Sequence, residues 1–149
     1  MASTVSTRVS QLAASPAGGR RILVVEDDED LSPAVVRIAR SISSDIEVDW
    51  TCSTDGARRF LRSRHYELVL ADYFLEGVER GSSLIIESWQ RHPATTFTMM
   101  SALPLAAFVK IAERDLPLGT QILPKPFSAI ELRAFLHEIL EPAPARHEA

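Results

Sequence analysis

Apolar positions along this chain fall into two alternating patterns. Short runs of consecutive or alternating apolar residues are each followed by a stretch in which apolar residues recur every three or four positions. The first kind predicts strands and the second amphipathic helices. RILVV (21–25) reads as a strand buried on both faces. Leu31, Val35, Ile38, Ala39 and Ile42 then predict a helix over 31–42. DIEVDW (45–50) alternates Ile46, Val48 and Trp50, giving a strand with a more polar face. Ala57, Phe60 and Leu61 predict a helix over 55–62, capped by Ser53 or Thr54. YELVLA (66–71) is a buried strand, and Leu84, Ile85 and Trp89 lie on one side of a helix over 82–89. TFTMMS (96–101) is a fourth strand, 105–114 a helix and QIL (121–123) a short fifth strand. Ser128 and Glu131 have the spacing of a capping box for a last helix carrying Ile130, Leu132, Phe135, Leu136 and Ile139.

Five strands alternating with five helices predict an α/β fold, a doubly wound five-stranded parallel sheet covered on both faces. Right-handed crossovers leave few topologies, and the order 2-1-3-4-5 suits this length. The compact unit is expected over 21–140, with a flexible leader over 1–20, rich in small residues, Pro and Gly, and a Pro-broken tail over 141–149. At 149 residues and 46% hydrophobic, the chain has the size and composition of one globular domain. A single cysteine, Cys52, excludes an intramolecular disulfide and a cysteine-rich zinc site. The net charge of −4 gives no reason to expect nucleic-acid binding, and no apolar run is long enough for a membrane span.

In such a fold, ligand chemistry sits beyond the carboxyl ends of the strands. There the sequence places Glu26, Asp27 and Asp28 after strand one, Asp72 after strand three, Ser101 at strand four, and Lys125 after strand five. Any one of these is unremarkable, since acidic residues after a strand commonly serve as loop or cap residues. Four strand ends carrying complementary groups are a different matter. Crowded carboxylates repel, and a hard divalent cation relieves that cost. Mg²⁺ fits an oxygen-only donor set, whereas the absence of His and Cys at these positions disfavours zinc and copper. A carboxylate, Mg²⁺, a lysine and a hydroxyl suit phosphoryl transfer, with an aspartate as nucleophile.

Four segments carry a resemblance. ILVVEDDEDL (22–31), LVLADYFLEG (68–77), TMMSA (98–102) and LPKPF (123–127) resemble, in order and spacing, the receiver domain of two-component response regulators. The resemblance covers 21–140 and implies the flavodoxin-like receiver fold. It implies phosphorylation of Asp72, with Ser101 and Lys125 contacting phosphoryl oxygens. Glu26 and Asp27 would be the acidic pair for Mg²⁺, Asp27 as direct ligand and Glu26 largely through water, with Asp72 and the Phe74 carbonyl as further ligands. A cis Lys125–Pro126 bond belongs to the same pattern. The implied donor is a phosphohistidine on a sensor histidine kinase or phosphotransfer protein of a bacterial cytoplasmic pathway, and small acyl phosphates often replace it. The implied catalysis is confined to the protein's own phosphorylation and dephosphorylation.

Three positions depart from the family's usual pattern. Ile122 stands where most receivers have an aromatic switch residue, and it is stiff at χ1 with no ring to reposition. Glu76, Gly77 and Gly81 make the loop after Asp72 longer by one residue, with the glycines placed to allow positive φ. Phe74 puts an apolar ring two residues from the acceptor, where it can shield an acyl phosphate from water, and this predicts a phosphoryl lifetime of many minutes.

With nine residues after 140 in this sequence, no effector module is expected there, and signalling is expected through a partner protein in trans, from a monomer or weak homodimer. The helix over 105–114 has more apolar residues than one packed stripe needs, and Phe108 and Val109 are the expected partner surface. Trp50, Cys52 and the scattered His65, His92, His137 and His147 are assigned no role beyond packing or surface. The alternative is a receiver-fold binding module that works without phosphorylation. A small-molecule phosphohydrolase is disfavoured because Phe74 occupies the place of a second aspartate. A flavodoxin-like cofactor carrier is disfavoured because the first loop is acidic and lacks a phosphate cradle.

Overall fold

A computed structural model describes residues 20–75 and 79–141. The predicted leader up to residue 19, the tail from residue 142, and Glu76 and Gly77 lie outside the described residues. The chain runs β1 (Arg21–Val25), α1 (Leu31–Ile42), β2 (Glu47–Thr51), α2 (Thr54–Ser63), β3 (Leu68–Asp72), α3 (Gly81–Ser88), β4 (Thr96–Ser101), α4 (Leu105–Asp115), β5 (Gln121–Pro124) and α5 (Ala129–Leu140). The strands form one parallel sheet in the order β2-β1-β3-β4-β5, as the alternation predicted.

Strand alternation divides the core in two. Ile22, Val24, Leu68, Leu70 and Met100 face α1 and α5, where Val35, Ile38, Leu132 and Leu136 meet them. Leu23, Val25, Val69, Ala71 and Met99 face the other way, against Ala57, Leu61, Leu84, Ile85 and Phe108 of α2, α3 and α4. β3, flanked on both sides, is buried at every position, whereas β2 and β5 are half-exposed edges. Ser53 caps α2 by accepting the Gly56 N–H, and Ser128 caps α5 by accepting the Glu131 N–H.

Several local expectations shift. Ile46 is buried but precedes β2 rather than lying in it. Trp89 falls just past α3 and is 40% exposed, whereas Leu84 and Ile85 are fully buried. Ile130 is 80% exposed, since the core stripe of α5 is Leu132, Leu136 and Leu140. Among the described residues, no helix is long and apolar enough to cross a membrane.

Candidate functional site

Register brings the chemistry together. Val25 pairs with Ala71 across β1 and β3, so Glu26 and Asp72 emerge side by side at the carboxyl edge. Ser101 pairs with Pro124 across β4 and β5, and Lys125 follows directly, its N–H donating to the Ser101 carbonyl at 2.8 Å. The Lys125–Pro126 bond is cis. Lys125 Nζ donates to Asp72 Oδ2 at 3.0 Å and to Glu26 Oε2. Glu26 is 3% exposed and Asp72 8% exposed. Two buried carboxylates thus share one ammonium.

The electrostatics follow from that sharing. Burial raises the Glu26 pKa; Lys125 opposes this and the neighbouring Asp72 adds to it. Burial alone would lower the Lys125 pKa, but its bonds to Glu26 and Asp72 outweigh that and raise it. The ammonium is therefore held charged between the two acids.

Asp72 Oδ1 accepts the Phe74 N–H at 3.3 Å, which turns the chain sharply away from β3. Ser101 is fully buried, and its Oγ accepts the Leu103 N–H at 3.1 Å, leaving the hydroxyl proton free to be donated. Asp27 is half-buried beside Glu26, and Asp28 is exposed. Gly81 begins α3 against the end of β3. A Cβ there would lie 2.1 Å from the Asp72 carbonyl oxygen, so close approach explains this glycine. It does not serve positive φ, as its place in the loop suggested. Gly119 (φ 93°) is the glycine with positive φ among the described residues.

Other expected residues sit elsewhere. Phe108 is fully buried in the core cluster under α4 and cannot be a partner surface; the excess of apolar residues in that helix hid which one faces the sheet. Val109 beside it is half-buried. Ile122 is half-buried on β5 and packs on the same cluster. A role that the sequence hid belongs to Trp50. Its indole N–H donates to the Glu26 carbonyl at 2.9 Å, and the Glu26 N–H donates to the Thr51 carbonyl at 3.0 Å. β2 thereby fixes the backbone that presents the acidic residues. An aromatic at an edge strand reads as packing, and nothing in its spacing signals that bond.

Among the described residues, no group of three or more His, Cys, Asp or Glu side chains stands ready around an ion. Mg²⁺ does not require one. It takes one or two carboxylates and completes its shell with water and phosphate oxygens. Two hard carboxylates at adjoining strand ends, with Asp27 next to them and a turn carbonyl following Asp72, fit that donor chemistry.

No protein-family model and no curated protein matches the sequence. Solved structures do match. They include a response regulator from Thermotoga maritima (TM-score 0.67, 23% identity, covering 82% of this chain and 98% of that one). A CheY-like response regulator receiver domain protein from Methanospirillum hungatei is similar at TM-score 0.66 and 19% identity, covering 83% of this chain and 94% of that one. The non-phosphorylated HemR receiver domain from Leptospira biflexa is similar at TM-score 0.66 and 24% identity, covering 84% of this chain and 97% of that one. These neighbours are receiver domains, and the sheet order with its five covering helices is their CheY-like, flavodoxin-like fold.

Proposed function

We propose that this chain is a cytoplasmic signalling receiver that takes a phosphoryl group on Asp72 from the phosphohistidine of a sensor histidine kinase or phosphotransfer protein. In this reading it then acts through a partner protein. The observation that carries the proposal is the Asp72 carboxylate itself. It sits at the end of the central strand, 8% exposed, with one oxygen 3.0 Å from Lys125 Nζ.

Asp72 Oδ1 keeps a lone pair beside its long bond from the Phe74 N–H, and that oxygen would attack the phosphorus. The O–P bond forms as the N–P bond of the phosphohistidine breaks, and the departing imidazole nitrogen takes up a proton. Lys125 would move its ammonium from the Asp72 carboxylate to a phosphoryl oxygen, and the Ser101 hydroxyl would donate to another. Glu26, Asp27, Asp72 and the Phe74 carbonyl would hold Mg²⁺, which when bound neutralises charge on the phosphoryl oxygens.

The test is incubation of the full chain with Mg²⁺ and acetyl phosphate, read by intact mass. A phosphoryl adduct that disappears in Asp72→Ala is the expected result. No adduct with acetyl phosphate, phosphoramidate or a phosphorylated kinase would overturn the proposal and favour a module that binds without phosphorylation, as Ile122 at the switch position suggests.

A further inference from the structure

Arg58 on α2 donates to three carboxylates: Asp55 Oδ1 at 2.8 Å, Glu79 Oε2 at 2.6 Å and Glu87 Oε1 at 2.6 Å. Two of these are ordinary helix pairings, within α2 and across to α3. The third is different in kind. Glu79 lies on the connection that leaves Asp72 and re-enters at α3, and the Thr54 hydroxyl donates to the same Glu79 oxygen at 2.8 Å. An exposed ion pair with one long side chain at each end fixes little. Here the guanidinium side chain is only 20% exposed, and a buried threonine shares its acceptor. The backbone at 79 is therefore pinned to α2.

The next residue shows what the pinning achieves. The Arg80 guanidinium lies 4.7 Å from the Phe74 ring centroid and 5.5 Å from that of Tyr73. The two rings meet edge to face at 4.8 Å. Phe74 is 43% exposed and has little core to hold it, so a cation stacked on its face is a main restraint. Its own N–H bonds the Asp72 carboxylate.

We infer that Arg58 is a positioning residue for the phosphoacceptor: with Thr54 it holds Glu79, which sets Arg80 against the Tyr73–Phe74 pair and fixes Phe74, whose N–H bonds the Asp72 carboxylate. The inference rests on Asp72 being the acceptor. Loss of the phosphoryl group requires water to attack phosphorus, forming an O–P bond while the aspartyl O–P bond breaks and a proton is released. A fixed apolar ring restricts that approach, and a freed ring does not.

The experiment compares the half-life of the Asp72 acyl phosphate in the full chain and in Arg58→Gln, Glu79→Gln and Glu87→Gln. Arg58→Gln and Glu79→Gln should each shorten it by about threefold to tenfold, with the double variant no shorter than either single one. Glu87→Gln removes an ion pair of the same kind from the same guanidinium and should leave the half-life within about twofold. Equal shortening in Glu87→Gln, or none in Glu79→Gln, would overturn the inference, because a merely stabilising Arg58 does not distinguish its partners. Amide exchange at Phe74 in the unphosphorylated protein gives an independent reading. It should be faster in Arg58→Gln and Glu79→Gln than in Glu87→Gln, and equal rates overturn the positioning role. If the unaltered chain takes up no phosphoryl group, the proposed function fails, and the exchange rates alone decide the positioning.

Discussion

At the scale of single residues, the strand-end groups were readable because strand length and direction fix where a chain emerges. Once 66–71 is a parallel strand, the acidic residue after it must stand at the ligand-binding edge. What could not be read is how the groups pair. Glu26 could be placed at the strand end, but its burial and its bond to Lys125 could not be foreseen. Pairing depends on side-chain reach across three strands, which no local pattern encodes. The same holds for Tyr66, whose strand position was legible but whose hydroxyl was not. It is fully buried and donates to Asp49 Oδ2 at 2.6 Å, while Arg64 holds both Asp49 oxygens at 3.0 and 2.9 Å. Burial, reinforced by the Asp49 carboxylate, raises the Tyr66 pKa above its ordinary 10.0. The native state therefore keeps a proton that the unfolded chain releases, so this contribution is complete below pH 10 and is lost as pH rises further. In urea titrations above pH 10.0, the stability of Tyr66→Phe should fall less steeply than that of the unaltered protein. The difference should approach about 1.4 kcal/mol per pH unit, and parallel curves would refute the assignment.

At the scale of elements, the helices differ in how much of their role the sequence exposed. α5 carried its capping box in plain view, and Ser128 caps it as expected. α4 misled, because its first five positions, Leu105 to Val109, are all apolar. Only Phe108 is buried among its residues, and Leu105 is 57% exposed, so apolar count could not say which side faces the sheet. α3 starts one residue before the predicted position, at Gly81, and only a residue without Cβ can approach the Asp72 carbonyl so closely. Both sides of that contact are backbone, so neither can yield by a rotamer change. Gly81→Ala should cost about 1–3 kcal/mol in urea denaturation. It should also change the amide shifts of Asp72 and Tyr73, since Gly81 N–H donates to the Tyr73 carbonyl at 3.2 Å. An unchanged midpoint would mean that the helix start can slide without strain.

At the scale of the whole molecule, sheet order was the most legible feature, because few right-handed parallel arrangements of five strands exist. Less legible is what ties the far edge of the sheet together, opposite the candidate site. Arg20 falls at the end of the predicted leader but belongs to the packed structure. Its guanidinium grips Glu67 with bonds of 2.8 and 3.0 Å and donates also to the Leu140 carbonyl. Its own carbonyl accepts the Glu47 N–H at 2.8 Å. One residue thus links the start of β1 to β2, to the approach to β3 and to the last turn of α5. The Leu140 carbonyl is one of the helix-end acceptors with no partner inside the helix, so the guanidinium supplies a C-terminal cap from a residue 120 positions away. A sequence pattern can reveal a cap from neighbouring residues but not one that arrives through the fold. Arg20→Gln should lower stability by about 1–2 kcal/mol, the pair being partly solvent-screened. The loss should appear as faster amide exchange in the last turn of α5, with exchange at the Asp72 end of β3 unchanged. Uniform acceleration throughout the sheet would instead show that Arg20 acts on global stability alone and does not specifically anchor α5.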